Sequence, residues 1–176
     1  MPRCKHCKDK FEAKHFNQKY CFKQECVNIW VSTAKEKNWQ KKKQKIKAEL
    51  MTLQDYMKIA QQVFNKYIRI RDKNKPCISC NKPLGEKFDA GHYYSTRHKN
   101  TTFDEENVHG QCVSCNQHLH GNLLNYQIGI AERIGGEKLI ELHIKAHEIK
   151  KWTIPEVKEI IEKYKQKIKE HVLNER

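Results

Sequence analysis

The sequence predicts an α+β fold in which a small, turn-rich centre is braced by zinc and flanked by helices. Three observations lead to this prediction. All eight cysteines fall into four close pairs, and only 38% of the 176 residues are hydrophobic while 32% are charged. Helical periodicity is clear on both sides of the turn-rich centre. A chain with so little apolar material needs bracing beyond a hydrophobic core, and metal sites are a common form of bracing in small domains.

The charge of the chain predicts a polyanionic partner. The formal net charge is +14, and the first 75 residues contain 20 Lys and Arg against 7 Asp and Glu. The remaining residues contain 15 against 14 and are nearly neutral. This distribution favours nucleic acid over a membrane surface. The first 75 residues therefore supply the electrostatic attraction for such a partner, whereas the function of the remaining residues must be inferred from their motifs.

The cysteine spacing and the lack of apolar runs predict a cytosolic metalloprotein. No run approaches the ~20 apolar residues of a membrane span, and the N-terminus is basic and polar, unlike a signal peptide. We therefore expect no membrane partner. Thiols stay reduced in the cytosol, where close cysteine pairs bind metal. A disulfide framework is the alternative.

Residues 1–30 are predicted to form an N-terminal zinc finger. The segments "CKHC" and "CFKQEC" supply four thiolates, which suit tetrahedral zinc. The segment after the last cysteine places that cysteine at the start of a helix, as in treble-clef fingers. The predicted ligands are Cys4, Cys7, Cys21 and Cys26.

Residues 31–75 are predicted to form a basic helical linker or arm. The lysine-rich run is either a solvated charge cluster or an arm that follows phosphates, and the neighbouring finger favours the arm. A clear helix follows at about 53–72, where Thr52 can cap the first turn and Asp55 suits the helix dipole. The predicted DNA-contacting residues are Lys41, Lys42, Lys43, Lys45, Lys47, Arg69 and Arg71.

Residues 76–125 are predicted to form the zinc-braced core, and residues 126–176 the C-terminal helices. The core pattern fits a hairpin around 86–96 and a knuckle at 112–115. Thr153 and Glu156 form a capping box before the last helix. The C-terminal helices are expected at about 122–134, 136–149 and 154–171.

The two inner cysteine pairs, in "CISC" and "CVSC", predict a second structural zinc site. One ion that holds both pairs would close the 31-residue segment between them. Structural zinc contributes roughly 10–16 kcal/mol of folding free energy, so this segment would be held rigidly, as a catalytic site requires. The predicted ligands are Cys77, Cys80, Cys112 and Cys115.

The segment "FDAGHYYS" between these pairs contains the candidate catalytic residues. If zinc joins the pairs, Asn116 approaches the hairpin that carries Asp89 and His92. A carboxylate and an amide oxygen suit Mg²⁺ or Mn²⁺, and a histidine with a near-neutral pKa can take a proton from water. The alternatives are a structural histidine and an asparagine that only caps a helix.

These motifs carry a resemblance to known families. "CISC", "FDAGHYYS" and "FDEENVHGQCVSCNQHLHGN" resemble the HNH class of ββα-metal nucleases, and the D-x-x-H spacing is similar to that of the phage resolvase endonuclease VII. The order of the N-terminal finger, the basic stretch, "DAGHY", "RIG" and "WTIPE" closely resembles the lambda NinG (Rap) family of phage recombination proteins. The resemblance covers roughly residues 1–170.

The resemblance implies a role for each matching residue. His92 would be the general base, Asp89 and Asn116 would bind the catalytic ion, and Asn107 would fix the loop beside the hairpin. The resemblance leaves five residues without a role, and these are Arg97, His98, His109, His118 and His120.

The implied function is a metal-dependent endonuclease that acts on branched DNA, such as Holliday junctions or D-loops. The protein would bind mainly through phosphates in the cytoplasm of a bacterial host, with other phage recombination proteins or a second copy as expected partners. The main rival is a non-catalytic DNA-binding adaptor with two zinc sites. A zinc-stabilised RNA-binding protein is less well supported, because no aromatic RNP-like stretch occurs.

Overall fold

The computed structural model describes residues 1–174, which divide into two compact units. The first unit covers residues 1–51, and the second begins at Thr52 and contains the rest of the described chain. The predicted division into four segments is finer than this, and it remains a prediction.

The first unit consists of the cysteine-rich finger and one long helix. Helix α1 spans Gln24–Glu49, and Cys26 lies in its first turn, as the sequence suggested. The helix continues through the whole lysine cluster, because this stretch contains good helix formers and lacks Gly and Pro. Cys26 is its only buried residue among those described, so α1 beyond the finger is a solvated helix.

Helix α2 spans Leu53–Asp72 and begins at the predicted cap. The Thr52 side chain accepts a hydrogen bond from the Asp55 backbone N–H, and the Asp55 carboxylate accepts one from the Thr52 backbone N–H. Two backbone donors that a helix start leaves unsatisfied are thereby paired.

The main hydrophobic core lies between α2 and the last helix, α5, which spans Ile154–Asn174. Phe64 of α2 is fully buried and packs edge-on against Tyr164, with ring centroids 4.8 Å apart. Helix α2 is therefore a core element of the second unit, although the sequence had grouped it with the basic arm.

The sheet has two strands, β1 (Phe88–His92) and β2 (Val108–Cys112), which pair antiparallel. Asp89 lies opposite Gln111, and His92 lies opposite Val108. The predicted hairpin around 86–96 is therefore wrong, since the partner of β1 lies beyond residue 107. The segment 93–107 connects the two strands in place of a tight turn. It is held by internal hydrogen bonds, which include those of the buried Asn107 side chain.

The chain after β2 forms one π-helical turn, Ser114–His118, and then three α-helices. Helix α3 spans Leu123–Ile134, and α4 spans Gly136–His147, which is two residues shorter than predicted. Both the backbone N–H and the hydroxyl of Thr153 donate to Glu156 at the start of α5. No helix within residues 1–174 is both long and apolar enough to cross a bilayer.

Helix α3 packs directly against the first inner cysteine pair. Tyr126 and Ile130 of α3 form a small core with Ile78, which lies between Cys77 and Cys80. A Cβ atom at Gly129 would lie 1.9 Å from the Ile78 carbonyl oxygen, so the close approach of α3 depends on glycine.

The α+β class predicted from the sequence is confirmed.

Candidate metal centres and active site

The inner four cysteines converge in the second unit. Their Sγ atoms all lie within 4.8 Å of one another, and the Cys80 and Cys112 sulfurs are 3.8 Å apart. A tetrahedral zinc with bonds of about 2.3 Å requires sulfur atoms about 3.8 Å apart, so this arrangement fits zinc. The Cys112 backbone N–H donates to the Cys77 sulfur at 3.3 Å, and such bonds orient metal-binding thiolates.

The ionisation of Cys77 is consistent with a thiolate ligand. Burial opposes its ionisation, but hydrogen bonds from backbone groups, first of all from Cys112, lower the pKa of the thiol to about 7. A metal ligand must be deprotonated, so a lowered pKa eases metal binding near neutral pH.

The outer four cysteines repeat this geometry in the first unit. Their sulfurs also lie within 4.8 Å of one another, and those of Cys7 and Cys21 are 3.7 Å apart. In each cluster the first Cys-x-x-Cys turn is followed by a residue in the left-handed region, Lys8 with φ 65° and Asn81 with φ 56°. Both four-cysteine clusters could therefore hold structural zinc. The described residues contain no further close group of three or more His, Cys, Asp or Glu side chains.

Asp89 and Asn116 are in direct contact beside the inner cluster. The Asn116 side-chain amide donates to Asp89 Oδ2 at 2.9 Å, and Gln117 donates to the same oxygen at 2.8 Å. Asn116 directly follows Cys115, so the inner cysteine cluster positions it opposite β1. Gln117 was not identified from the sequence, where only its position next to Asn116 could have indicated it.

This group contains side chains of the kinds that bind hard divalent cations. It brings one carboxylate and two amides to one point, and the amide groups of Asn116 and Gln117 can present oxygen after rotation. Mg²⁺ commonly binds through one or two carboxylates together with waters and substrate phosphates. Protein groups alone would hold such an ion weakly.

His92 is the last residue of β1 and is partly buried. Its Nε2 donates to the Thr102 carbonyl at 3.2 Å, which leaves Nδ1 as the unprotonated nitrogen of the neutral ring. Burial lowers the pKa of His92, while the Thr102 and Ala90 carbonyls oppose this shift. Burial therefore favours the neutral imidazole, which is the form that can accept a proton.

Asp89 and His92 project from opposite faces of β1. Side chains alternate along a strand, and these residues are three positions apart. Asp89 contacts Asn116, whereas His92 contacts the connection between the strands at Thr102. The structure therefore brings Asp89 and Asn116 together, while His92 makes its contact elsewhere.

Two buried polar side chains support this region. Asn107 hydrogen-bonds to the Tyr94 backbone N–H, the Tyr94 carbonyl and the Thr101 carbonyl, and so joins both ends of the strand connection. Gln111 is fully buried and donates to Ser79 and Gly121, while its Oε1 atom has no hydrogen-bond partner among the described residues.

A second buried polar group, around Asp72, ties α2 to β2. The Asp72 carboxylate accepts from Arg71, from Lys75 and from the Gly110 backbone N–H. Although burial opposes ionisation, the contacts with Arg71 hold the pKa of Asp72 far below its usual range. Arg71 also donates to the Glu105 and Val108 carbonyls, so this predicted DNA contact is engaged within the fold and we leave it out of the DNA surface.

The remaining predicted DNA contacts and unassigned side chains are distributed over the surface and the core. Arg69 is exposed, as are Arg97 and the five lysines of α1 that were predicted to contact DNA, Lys41, Lys42, Lys43, Lys45 and Lys47. The His98 ring lies 5.7 Å from that of His147, and His109 is buried. His118 ends the π-helical turn, and His120 lies beyond it with φ 48°.

Comparison with known proteins identifies one family. The sequence model described as "Bacteriophage Lambda NinG protein" matches residues 1–174. Protein ninG of Escherichia phage 933W is 37% identical over 96% of this chain and 92% of its own length. Protein ninG of Escherichia phage lambda is 44% identical over 65% of this chain and 56% of its own length. No solved structure matches significantly.

Proposed function

Since the chain belongs to the NinG family of phage proteins, we propose that it is a divalent-metal-dependent DNA endonuclease that cuts branched recombination intermediates. The observation that carries this proposal is the Asp89–Asn116 contact of 2.9 Å beside a four-cysteine cluster. A structural zinc would fix these two cation ligands without using them as zinc ligands.

The proposed reaction is hydrolysis of a phosphodiester bond. His92 takes a proton from a water molecule at Nδ1, and the resulting hydroxide attacks the phosphorus atom. The bond to the 3′ oxygen breaks as that oxygen takes a proton from a second water molecule, and His92 returns its proton to solvent, which leaves a 5′ phosphate and a 3′ hydroxyl. A cation held by Asp89 and Asn116 would stabilise the charge that develops on the leaving oxygen.

The electrostatics support a DNA substrate. The exposed lysines of α1 would contact phosphates without reading sequence, which suits a protein that selects DNA by its branched shape. Their affinity would fall as the salt concentration rises, because bound counterions are released from DNA.

A non-catalytic adaptor with two zinc sites is the second candidate function. Two observations favour it. His92 and Asp89 project from opposite faces of β1, and His92 already donates to the Thr102 carbonyl. For cleavage, the scissile phosphate must reach both His92 and the Asp89–Asn116 pair, whereas an adaptor has no such requirement.

Cleavage of a four-way DNA junction by purified variants tests the proposal. We expect the parent protein to cut only with Mg²⁺ or Mn²⁺, and His92→Ala to cut roughly 10²–10⁴-fold more slowly, the usual loss for a general base. Asp89→Ala should be impaired but partly restored by higher Mn²⁺, because its defect is in cation binding. His147→Ala is the matched control, since this exposed histidine lies on α4, outside the proposed site.

Zinc content and junction binding are measured on the same samples. Zinc content should stay unchanged in His92→Ala, because His92 belongs to neither four-cysteine cluster. Junction binding should also stay unchanged, because the proposed DNA affinity comes from the exposed lysines of α1. If His92→Ala cuts as fast as the parent protein, the catalytic proposal fails and the adaptor function is supported.

A further inference from the structure

The first unit contains a groove that the proposed cleavage reaction does not use. Its volume is about 650 Å³, and it lies between the loop at 15–22 of the finger and the first turns of α1. Three aromatic side chains on its lining are largely exposed: Phe16 by 97%, Phe22 by 58% and Trp30 by 55%. Aromatic rings are normally buried, and a cluster of exposed ones marks a binding surface.

The charge of the groove selects the class of ligand. Lys5, Lys19 and Lys37 line it, and no carboxylate does so. Lys14 lies over the Phe22 ring, with its Nζ 5.3 Å from the ring centre. Flat aromatic faces surrounded by lysines match a chain that carries both stacking bases and phosphates.

The loop on one side of the groove is held in place by its own hydrogen bonds. The Gln18 side chain accepts from the Lys14 backbone N–H at 2.9 Å and donates to the Tyr20 carbonyl at 2.8 Å. Because the loop is ordered before binding, less conformational entropy is lost when a ligand stacks on it.

The opposite side of the groove continues along α1. Trp30, Lys37 and Lys41 are spaced by seven and four residues, so they follow one side of the helix. A strand with a base stacked on Trp30 would therefore meet successive positive charges along the helix. Single-strand binding proteins combine stacking platforms and basic tracks in this way.

We propose that this finger groove binds unpaired nucleotides of branched DNA, with bases stacked on Trp30, Phe22 and Phe16 and phosphates on the lysines. The inference rests on the proposal that the chain acts on DNA, but it does not require cleavage at His92. It would give the protein a means of distinguishing a branch point with unpaired bases from continuous duplex.

Binding of labelled oligonucleotides to the full chain tests the inference. The probes are dT12, a 12-mer of the same charge that lacks its bases, and a 12-base-pair duplex. We expect dT12 to bind more tightly than the other two, and Trp30→Ala to weaken dT12 binding by roughly 5- to 100-fold, the effect of losing one stacked base. Trp30→Phe should retain most of the affinity, because it retains an aromatic face.

Trp39→Ala is the matched control. Trp39 is 59% exposed on the same helix, but it lies nine residues from Trp30 and so points to the opposite side. The inference is overturned if Trp39→Ala weakens dT12 binding as much as Trp30→Ala, or if the baseless 12-mer binds as tightly as dT12. Binding of U12 at least tenfold more tightly than dT12 would overturn it in favour of RNA.

The His92→Ala variant separates this inference from the proposed reaction. It should bind dT12 like the parent protein. If the parent fails to cut junctions but shows the Trp30 dependence, the nuclease proposal fails and the groove inference stands. If the parent protein cuts junctions but Trp30→Ala binds dT12 as tightly as the parent does, the groove inference fails and the nuclease proposal stands.

Discussion

The 2.9 Å hydrogen bond between Asp89 and Asn116 joins β1 to the π-helical turn that contains the last cysteine of the inner cluster. Their contact could be expected, because joining the two cysteine pairs brings residue 116 to the strand that carries residue 89. The involvement of Gln117 could not, since an exposed glutamine in a turn has no distinguishing pattern. The opposite projection of His92 follows from strand alternation, but only once residues 88–92 are known to be a strand.

Gly91 has a steric role within "DAGH". A Cβ atom there would lie 2.2 Å from Oε1 of the buried Gln111 side chain. We expect Gly91→Ala to lower the free energy of unfolding by about 1–3 kcal/mol, as overpacking of a closed interior usually does. Urea denaturation of the zinc-loaded protein measures the effect.

Gly85→Ala is the control for this prediction. No atom outside its immediate neighbours lies within 4 Å of a Cβ at that position, so the change should be nearly neutral or slightly stabilising. Equal stability of the Gly91→Ala and Gly85→Ala variants would show that Gln111 can move aside at little cost.

His109 makes stability depend on pH. Burial, followed by the nearby positive charge of Arg71, lowers its pKa to about 4, whereas an unfolded histidine titrates near 6.5. Between these values the unfolded chain binds more protons, so stability should fall as the pH drops from about 6.5 towards 4. The full loss from this group is of the order of 3 kcal/mol.

The variant His109→Gln tests this pH dependence. Its amide can donate to the Glu106 carbonyl and accept from Arg71, as the histidine does, but it does not titrate. We expect a shallower decline in the free energy of unfolding between pH 6.5 and 5, with zinc content checked at each pH. His92 also has a lowered pKa, so part of the slope should remain.

At the scale of elements, local signals predicted the helices better than the sheet. The bounds of α2 follow from the Thr52–Asp55 capping box and a clear apolar periodicity. The partner of β1 could not be found in this way, because strand pairing depends on contacts distant in sequence. Of the two buried groups that hold that pairing in place, Asn107 was assigned to the loop by the family resemblance, whereas Asp72 looks like an ordinary surface residue in the sequence.

Gly129 determines how closely α3 approaches the inner cysteine cluster. A methyl group at this position would meet the backbone carbonyl oxygen of Ile78 at 1.9 Å, and backbone cannot rotate away as a side chain can. We therefore expect Gly129→Ala to cost at least about 1–3 kcal/mol of stability, despite the better helix propensity of alanine. Thermal unfolding of the zinc-loaded protein measures this.

Gly136→Ala provides the matched control in the neighbouring helix. Gly136 begins α4 and has open space around its Cβ position, so alanine there should be neutral or stabilising by up to about 1 kcal/mol. If the two alanine variants unfold at the same temperature, close packing of α3 on the cluster does not limit stability.

At the scale of the whole molecule, each of the two units contains one four-cysteine cluster. The second unit has a hydrophobic core between α2 and α5, whereas the buried apolar residues of the first unit are Cys4, Cys21 and Cys26. The first unit should therefore depend almost entirely on metal for its structure. The second should lose its central region without metal but keep the contacts between its helices.

Single cysteine variants test this difference in dependence on zinc. Elemental analysis of the reduced parent protein should find about two zinc ions per chain, one for each cluster. Cys4→Ala should lose one zinc ion and unfold the finger. It should bind DNA more weakly but still cleave junctions, because the proposed active site lies in the other unit. Cys112→Ala should also lose one zinc but abolish cleavage, since its cluster holds Asn116 opposite Asp89. Loss of both zinc ions from either variant would contradict independent clusters, because each change removes a ligand from only one of them.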